Sequence, residues 1–194
     1  MGSHMGRGGR GPLARPKNTS RKGRSGFTLI ELTVSMSILM IGIVSVVSAT
    51  TRMHALRKHN RERIVANNGL RSVAERIHAR SYELSRSDPD NWAADLIAVY
   101  GPDGTVGDEF MVQGINVAQG QNAIGTIQIL TDETLDDANL PVALGLPRDL
   151  NGDGDDDDAD VSANATLLPV LLHLEWTGQS GVQTIDTGFY LTKY

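Results

Sequence analysis

The sequence predicts an α+β fold, with one long N-terminal helix packed on a small antiparallel β-sheet. Three observations carry this. From Phe27 to Ala49 runs a stretch of 23 residues in which Glu31 is the only charged side chain. No proline occurs between Phe27 and Asp88, so nothing in the backbone forces a helix begun in that stretch to stop before Pro89. Near the C-terminus, two segments alternate apolar and polar residues with period two around a glycine-containing loop, the pattern of an antiparallel strand pair. A long helix followed by antiparallel strands gives an α+β arrangement.

The elements follow in order. Met1–Met5 contains GSHM, which reads as the remnant of an expression tag and is set aside. Residues 1–26 hold seven Lys/Arg and no acid. From Gly6 on they are Gly, Pro, Arg and Lys with almost nothing to bury, and disorder is expected. Residues 27–49 are dominated by Leu, Ile, Val and Met. As a helix they would extend about 34 Å, enough for a hydrocarbon core of about 30 Å. The interspersed Ser and Thr hydroxyls can bond back to helix carbonyls, so they cost little in lipid. Glu31 is costly there, and a lone carboxylate in a span points to a function with a partner.

Positive charge directly before a span stays cytoplasmic, so the span should run outward from the cytoplasm. Residues 50–87, with nine Lys/Arg against three Glu, would then lie outside, which runs against the same rule. The leader is more densely charged and comes first, so it decides. A general secretory signal would place its cleavage site after a shorter apolar region. Here the best cleavage match precedes the apolar run.

The helix is expected to continue through 50–87. Residues 52–63 are polar almost all round and read as a solvated neck, whose basic side chains suit anionic lipid headgroups better than DNA. Leu70, Val73, Ala74, Ile77 and Leu84 fall near a 3.6-residue repeat and form a stripe to bury. Gly69, following Asn67 and Asn68, is expected to kink the helix, and Asp88–Pro89 to end it. Strands are expected at Leu96–Tyr100 and Phe110–Ile115, flanking the turn-rich GPDG, and at Ala123–Leu130. The strongest pair is Leu168–Trp176 with Val182–Thr192, joined by TGQSG. Residues 88–194 carry two Lys/Arg and nineteen Asp/Glu, a net −17, within a chain of net −5.

The run RSGFTLIELTVSMSILMIGIV resembles the leader junction and first helix of type IV pilins and of type II secretion pseudopilins. That family joins a basic leader ending in Gly, then Phe, a TLIE-type tetrad and an apolar helix. Gly26, Phe27, Thr28, Leu29, Ile30 and Glu31 match in turn, over about 25 of the 194 residues. The resemblance implies a lollipop of one long helix and a small sheet. It implies a prepilin peptidase that cuts after Gly26 and methylates Phe27. Thr28, Leu29, Ile30 and their neighbours would pack against sister subunits, and Glu31 would pair with the freed amine of a neighbour's Phe27. The partners so implied are sister pilins or pseudopilins, an inner-membrane assembly platform and the bilayer. The expected location is the bacterial inner membrane, single-pass, with the C-terminal domain periplasmic. The expected parts are a leader at 1–26, an assembly helix at 27–49, its soluble continuation at 50–87 and a globular domain at 88–194.

A second stretch carries chemistry. Asp149 to Asp160, DLNGDGDDDDAD, fits D-x-[DN]-x-[DN]-G in its first half, the start of an EF-hand-type calcium loop. Asp149, Asn151 and Asp153 take the first ligand places and Gly154 the turn place. Asp155 offers its carbonyl, Asp157 follows, and Asp160 stands twelfth. Asp160 is shorter than the usual bidentate Glu, and Asp156 replaces the apolar residue normal at the eighth place. The preceding LPVALGLPR holds two prolines and is no entering helix. The expectation is a stand-alone loop for Ca2+. Seven Asp in twelve residues repel one another, and a divalent cation relieves that repulsion. The alternative is a solvated acidic loop.

There is no cysteine, hence no disulfide framework, thiol catalysis or thiolate metal site. His54, His59, His78 and His173 are scattered without ligand spacing. Ser180, in GQSG, is not a nucleophile elbow. No phosphate loop or dinucleotide fingerprint occurs, so no enzymatic constellation is present. Two functions remain: a structural filament subunit, or a membrane-tethered, calcium-dependent binding module. The −17 of the C-terminal region argues against nucleic acid as a partner.

Overall fold

A computed structural model of the chain describes residues 26–178 and 181–194. The expected disorder of the leader lies outside the described residues, except for Gly26. So do Gln179 and Ser180 of the hairpin loop. The chain divides into two compact units, residues 1–47 and 48–194.

Helix α1 runs from Leu29 to Ser87, 59 residues. Thr28 starts it: its hydroxyl accepts from the Glu31 N–H at 3.3 Å, and its carbonyl from the Leu32 N–H at 3.2 Å. Thr followed three residues later by Glu is the capping-box sequence. Within the first unit every large apolar side chain of the helix is exposed, Leu29 at 83% and Ile41 at 68%. The hydroxyls do what the sequence suggested. Thr33 donates to the Ile30 carbonyl at 2.9 Å, Ser37 to Thr33 at 2.8 Å and Ser45 to Ile41 at 2.8 Å. By length and composition the helix can cross a membrane.

In the second unit α1 buries Ala66, Leu70, Val73, Ile77 and Leu84 on one stripe, at intervals of three, four and seven. Ala74 is only partly buried. The helix continues through Asn67–Asn68–Gly69 without interruption. Gly69 serves close packing. A Cβ placed on it would stand 2.6 Å from either methyl carbon of Val112. The small residue lets that side chain lie against the helix backbone, which offsets glycine's low helix propensity of about 1 kcal/mol.

Val112 also explains a correction to the second strand. Phe110–Ile115 was expected to pair throughout, but only β1, Glu109–Phe110, does so. Val112 leaves the sheet to pack on α1. The segment Leu96–Tyr100, expected as a strand, is the C-terminal part of helix α2, Trp92–Tyr100. Trp92, Ala93 and Leu96 are its buried residues, spaced one and four apart, which is one face of a helix. Asp88 prepares its start by accepting from the Asn91 side chain at 3.0 Å. The short apolar run was compatible with either period, and the residues before it decide.

The remaining strands are β2, Gly125–Ile129, β3, Leu167–Gly178, and β4, Gly181–Thr192. The sheet has the order β1-β2-β3-β4 and every pairing is antiparallel. The β3–β4 register runs from Leu167↔Thr192 to Gly178↔Gly181. Leu168, Val170, Leu172, Leu174 and Trp176 alternate onto one face and join α1 and α2 residues in a single core. On the other face Leu171 is buried as well, and Tyr190 donates its hydroxyl to the Leu144 carbonyl. Leu144 belongs to the long connection between β2 and β3, residues 130–166. That connection holds a short 3-10 turn, Asp137–Asn139, and the acidic loop.

Candidate functional site

Two places carry function-bearing residues. The first is the start of α1. Gly26 and Phe27 precede the helix outside any regular element and both are exposed. A peptide bond in accessible, non-helical backbone is the form a protease can take into its site. Glu31 stands in the first turn of α1, where a carboxylate meets the positive end of the helix dipole. Leu29, Ile30, Leu32 and Val34 surround it in sequence, all more than half exposed. Thr28, Leu29, Ile30 and Glu31 thus lie on a helix end whose apolar side chains are exposed.

The second place is the 130–166 connection, and its framework is built on Leu150. That residue is fully buried, and its carbonyl accepts from the Thr166 N–H at 2.8 Å and the Leu167 N–H at 2.9 Å. These bonds fix the loop to the start of β3. Asp149 folds the first turn by accepting from the Gly152 N–H at 2.5 Å and the Gly154 N–H at 3.0 Å. Gly154 has φ +104°, a conformation that an L side chain rarely adopts, and it occupies the place the spacing assigned to a sharp turn. Asn151 donates to Asp153 Oδ2 at 3.1 Å and to Asp158 Oδ2 at 2.9 Å. Asp155 and Asp157 are close enough to share a hydrogen bond. That bond, with the charges of Asp153 and Asp157, holds the Asp155 carboxyl above the usual range. Asp160 turns away to the Ser162 N–H at 2.9 Å, which lowers its pKa. Among the described residues, no three His, Asp or Glu side chains already stand together as a metal cage.

Sequence reasoning missed two residues here. Asp158 binds the Asn151 side chain, although the spacing gave it no ligand place. Glu133, sixteen residues before Asp149, is fully buried against the loop. Its Oε1 accepts from the Leu150 N–H at 2.5 Å and the Asn151 N–H at 3.1 Å, and its own N–H donates to the Asp158 carbonyl at 3.0 Å. Its other oxygen, Oε2, has no hydrogen-bond partner. No spacing pattern links Glu133 to the loop. Only the fold does.

Asp137, also unflagged, organises the other end of the connection. It accepts from the N–H groups of Leu144 at 2.8 Å, Gly145 at 2.7 Å and Leu146 at 3.1 Å. The Leu144 bond is the chief cause that holds its carboxyl below the ordinary value. Lost hydration acts the other way, and the Leu146 and Gly145 bonds add to the lowering. A depressed folded pKa means that the stabilisation is present above the unfolded value, about 3.9, and is lost as pH falls through the folded one. The protection factors of the Leu144, Gly145 and Leu146 amides, taken against the intrinsic exchange rate at each pH, should therefore fall on acidification below about pH 4 in the parent. In Asp137→Asn these amides should exchange fast even at neutral pH. Equal protection in both proteins at neutral pH would contradict this.

His173 lies on β3 with its Nδ1 2.6 Å from Asp186 Oδ1, its direct neighbour on β4. It is a cross-strand polar pair on the sheet surface, in keeping with the absence of ligand spacing around it.

Comparison with known proteins adds one match. Residues 21–47 fit the family model described as the prokaryotic N-terminal methylation motif. No curated protein and no solved structure matches the chain.

Proposed function

We propose that this chain, which carries the prokaryotic N-terminal methylation motif that is the type IV pilin-like signature, is a membrane-anchored subunit of a pilus-like or type II secretion filament. One observation carries the reading. The motif at residues 21–47 coincides with an exposed Gly26–Phe27 junction followed at once by an exposed apolar helix bearing a single acid. An apolar surface of that extent needs lipid or like helices to cover it. The residues supply both a site to cut and a surface to pack.

In this reading a prepilin peptidase removes the leader after Gly26 and methylates the new Phe27 amine. The freed helix remains in the inner membrane with the C-terminal domain outside the cytoplasm. It then packs among sister subunits through Leu29, Ile30 and the residues after them. Glu31 pairs with a neighbour's Phe27 amine and sets the stagger between copies. The role is structural rather than enzymatic, as in the family the motif marks. The test is to express the chain with the filament genes of its own host and shear the filaments from the cells. The chain should be found in the sheared filament, without its leader. Recovery only as a dispersed membrane protein would overturn the proposal.

A further inference from the structure

We propose that Glu133 and the loop Asp149–Asp160 together form a binding site for one calcium ion, in which the free oxygen of buried Glu133 is the ligand that closes the site. The observation is the juxtaposition. A carboxylate fully shielded from water has one oxygen bound to the loop's backbone and the other bound to nothing. Leaving a charged oxygen buried without a partner is expensive, and a cation beside it removes the expense.

The loop supplies the rest of the shell. Asn151 and Asp158 are tied to Glu133 through the Asn151 N–H and the Asp158 carbonyl, and to each other through their side chains. Asp153 is held to Asn151. All of these donors are oxygens, the set that hard cations take. The loop is glycine-rich and irregular, which suits the larger ion with its variable coordination better than magnesium with its demand for a near-ideal octahedron. The ligand set therefore departs from the order that spacing implied. Asp160, the twelfth residue, is engaged by Ser162. The long carboxylate normal at the twelfth place comes instead from Glu133, outside the loop. Because no three carboxylates or imidazoles among the described residues are already gathered, the ion has to draw the loop side chains in. Binding should order the loop and clamp it to β3 through Leu150.

The experiment uses the full chain in detergent micelles, with calcium chloride alone as the probe, read by titration calorimetry and by thermal melting against a chelator. One ion should bind per chain and the melting temperature should rise, with magnesium giving a much smaller rise. Glu133→Gln keeps the shape and the acceptor for Leu150 but removes the charge. It should weaken calcium binding by roughly tenfold or more. Asp158→Asn should weaken it likewise, while Asp160→Asn should leave it as in the parent. No heat with calcium and no change in melting would overturn the site. Calcium binding that survives Glu133→Gln unchanged, or that is lost in Asp160→Asn, would overturn the assignment of Glu133. If Glu133→Gln shows no cooperative melting, Asp158→Asn decides: weakened binding with parent-like melting in chelator supports the site, and unchanged binding overturns it.

Discussion

Glu31→Ala is expected to leave cleavage and membrane insertion intact and to remove the chain from sheared filaments. The helix does not need Glu31 to form, since Thr28 already starts it and it continues without interruption to Ser87. In the proposed filament the substitution removes a charge that would lie in lipid. If Glu31 neutralises the Phe27 amine of the next subunit, its loss leaves that amine unpaired in a medium without water. Breaking a buried pair on one side costs about 3–5 kcal/mol. That corresponds to roughly a hundredfold or more in the equilibrium for incorporation. A competing role is local: Glu31 stands at the third helical position after Thr28, where Glu and Gln serve a capping box alike. Glu31→Gln separates the two. If pairing matters, Gln should fail nearly as badly as Ala. If capping alone matters, Gln should assemble like the parent, and the pairing role is wrong.

Trp92→Ala should lower the stability of the second unit by about 3–5 kcal/mol, the range for removing a large buried aromatic. Trp92 is only 1% exposed and belongs to the core shared by α1, α2 and the sheet. Its indole N–H donates to the Ser81 carbonyl at 3.1 Å and to the Ser81 hydroxyl at 3.0 Å, across to α1. Truncation therefore opens a cavity and also strips a buried serine of its partner, two losses of different kind. Trp92→Phe keeps one aromatic ring but loses the donor and the second ring, so its cost should be smaller, about 1–3 kcal/mol, near that of one unmet buried group. Thermal melting should show a drop on the order of 10 °C for Ala and clearly less for Phe. Equal melting of Ala and parent would show that α2 does not hold α1 to the core.

What the sequence made legible had long-range periodicity behind it. The α1 stripe from Leu70 to Leu84 and the β3–β4 pair were readable because each repeats its pattern several times. Leu96–Tyr100 was misread because five apolar residues fit a strand or a helix equally, and the cue lay outside the run, at Asp88 and Trp92. The shortness of β1 was not readable at all. It depends on Val112 meeting Gly69, a contact between residues 43 positions apart. The same limit governed the acidic loop. Spacing within DLNGDG identified Gly154 as a turn, but gave Asp149 a ligand place and not the hydrogen bonds by which it accepts from the Gly152 and Gly154 N–H groups. The hydrogen bonds of Glu133 and Asp137 to backbone N–H groups join residues seven to eighteen positions apart, and no local pattern encodes them. The N-terminal motif was legible because it is written in consecutive residues, and residues 21–47 fit the family model.

In the proposed role the chain is processed at Gly26–Phe27 and then assembles through its exposed helix. The intact mass of the protein after expression with an active prepilin peptidase tests this directly. The mature chain should begin at Phe27 and carry one methyl group on its amine. Gly26→Val should stay uncut in the same membrane, because a β-branched side chain crowds the scissile bond. A parent chain that keeps its leader beside a peptidase that cuts a control substrate would overturn the proposed role.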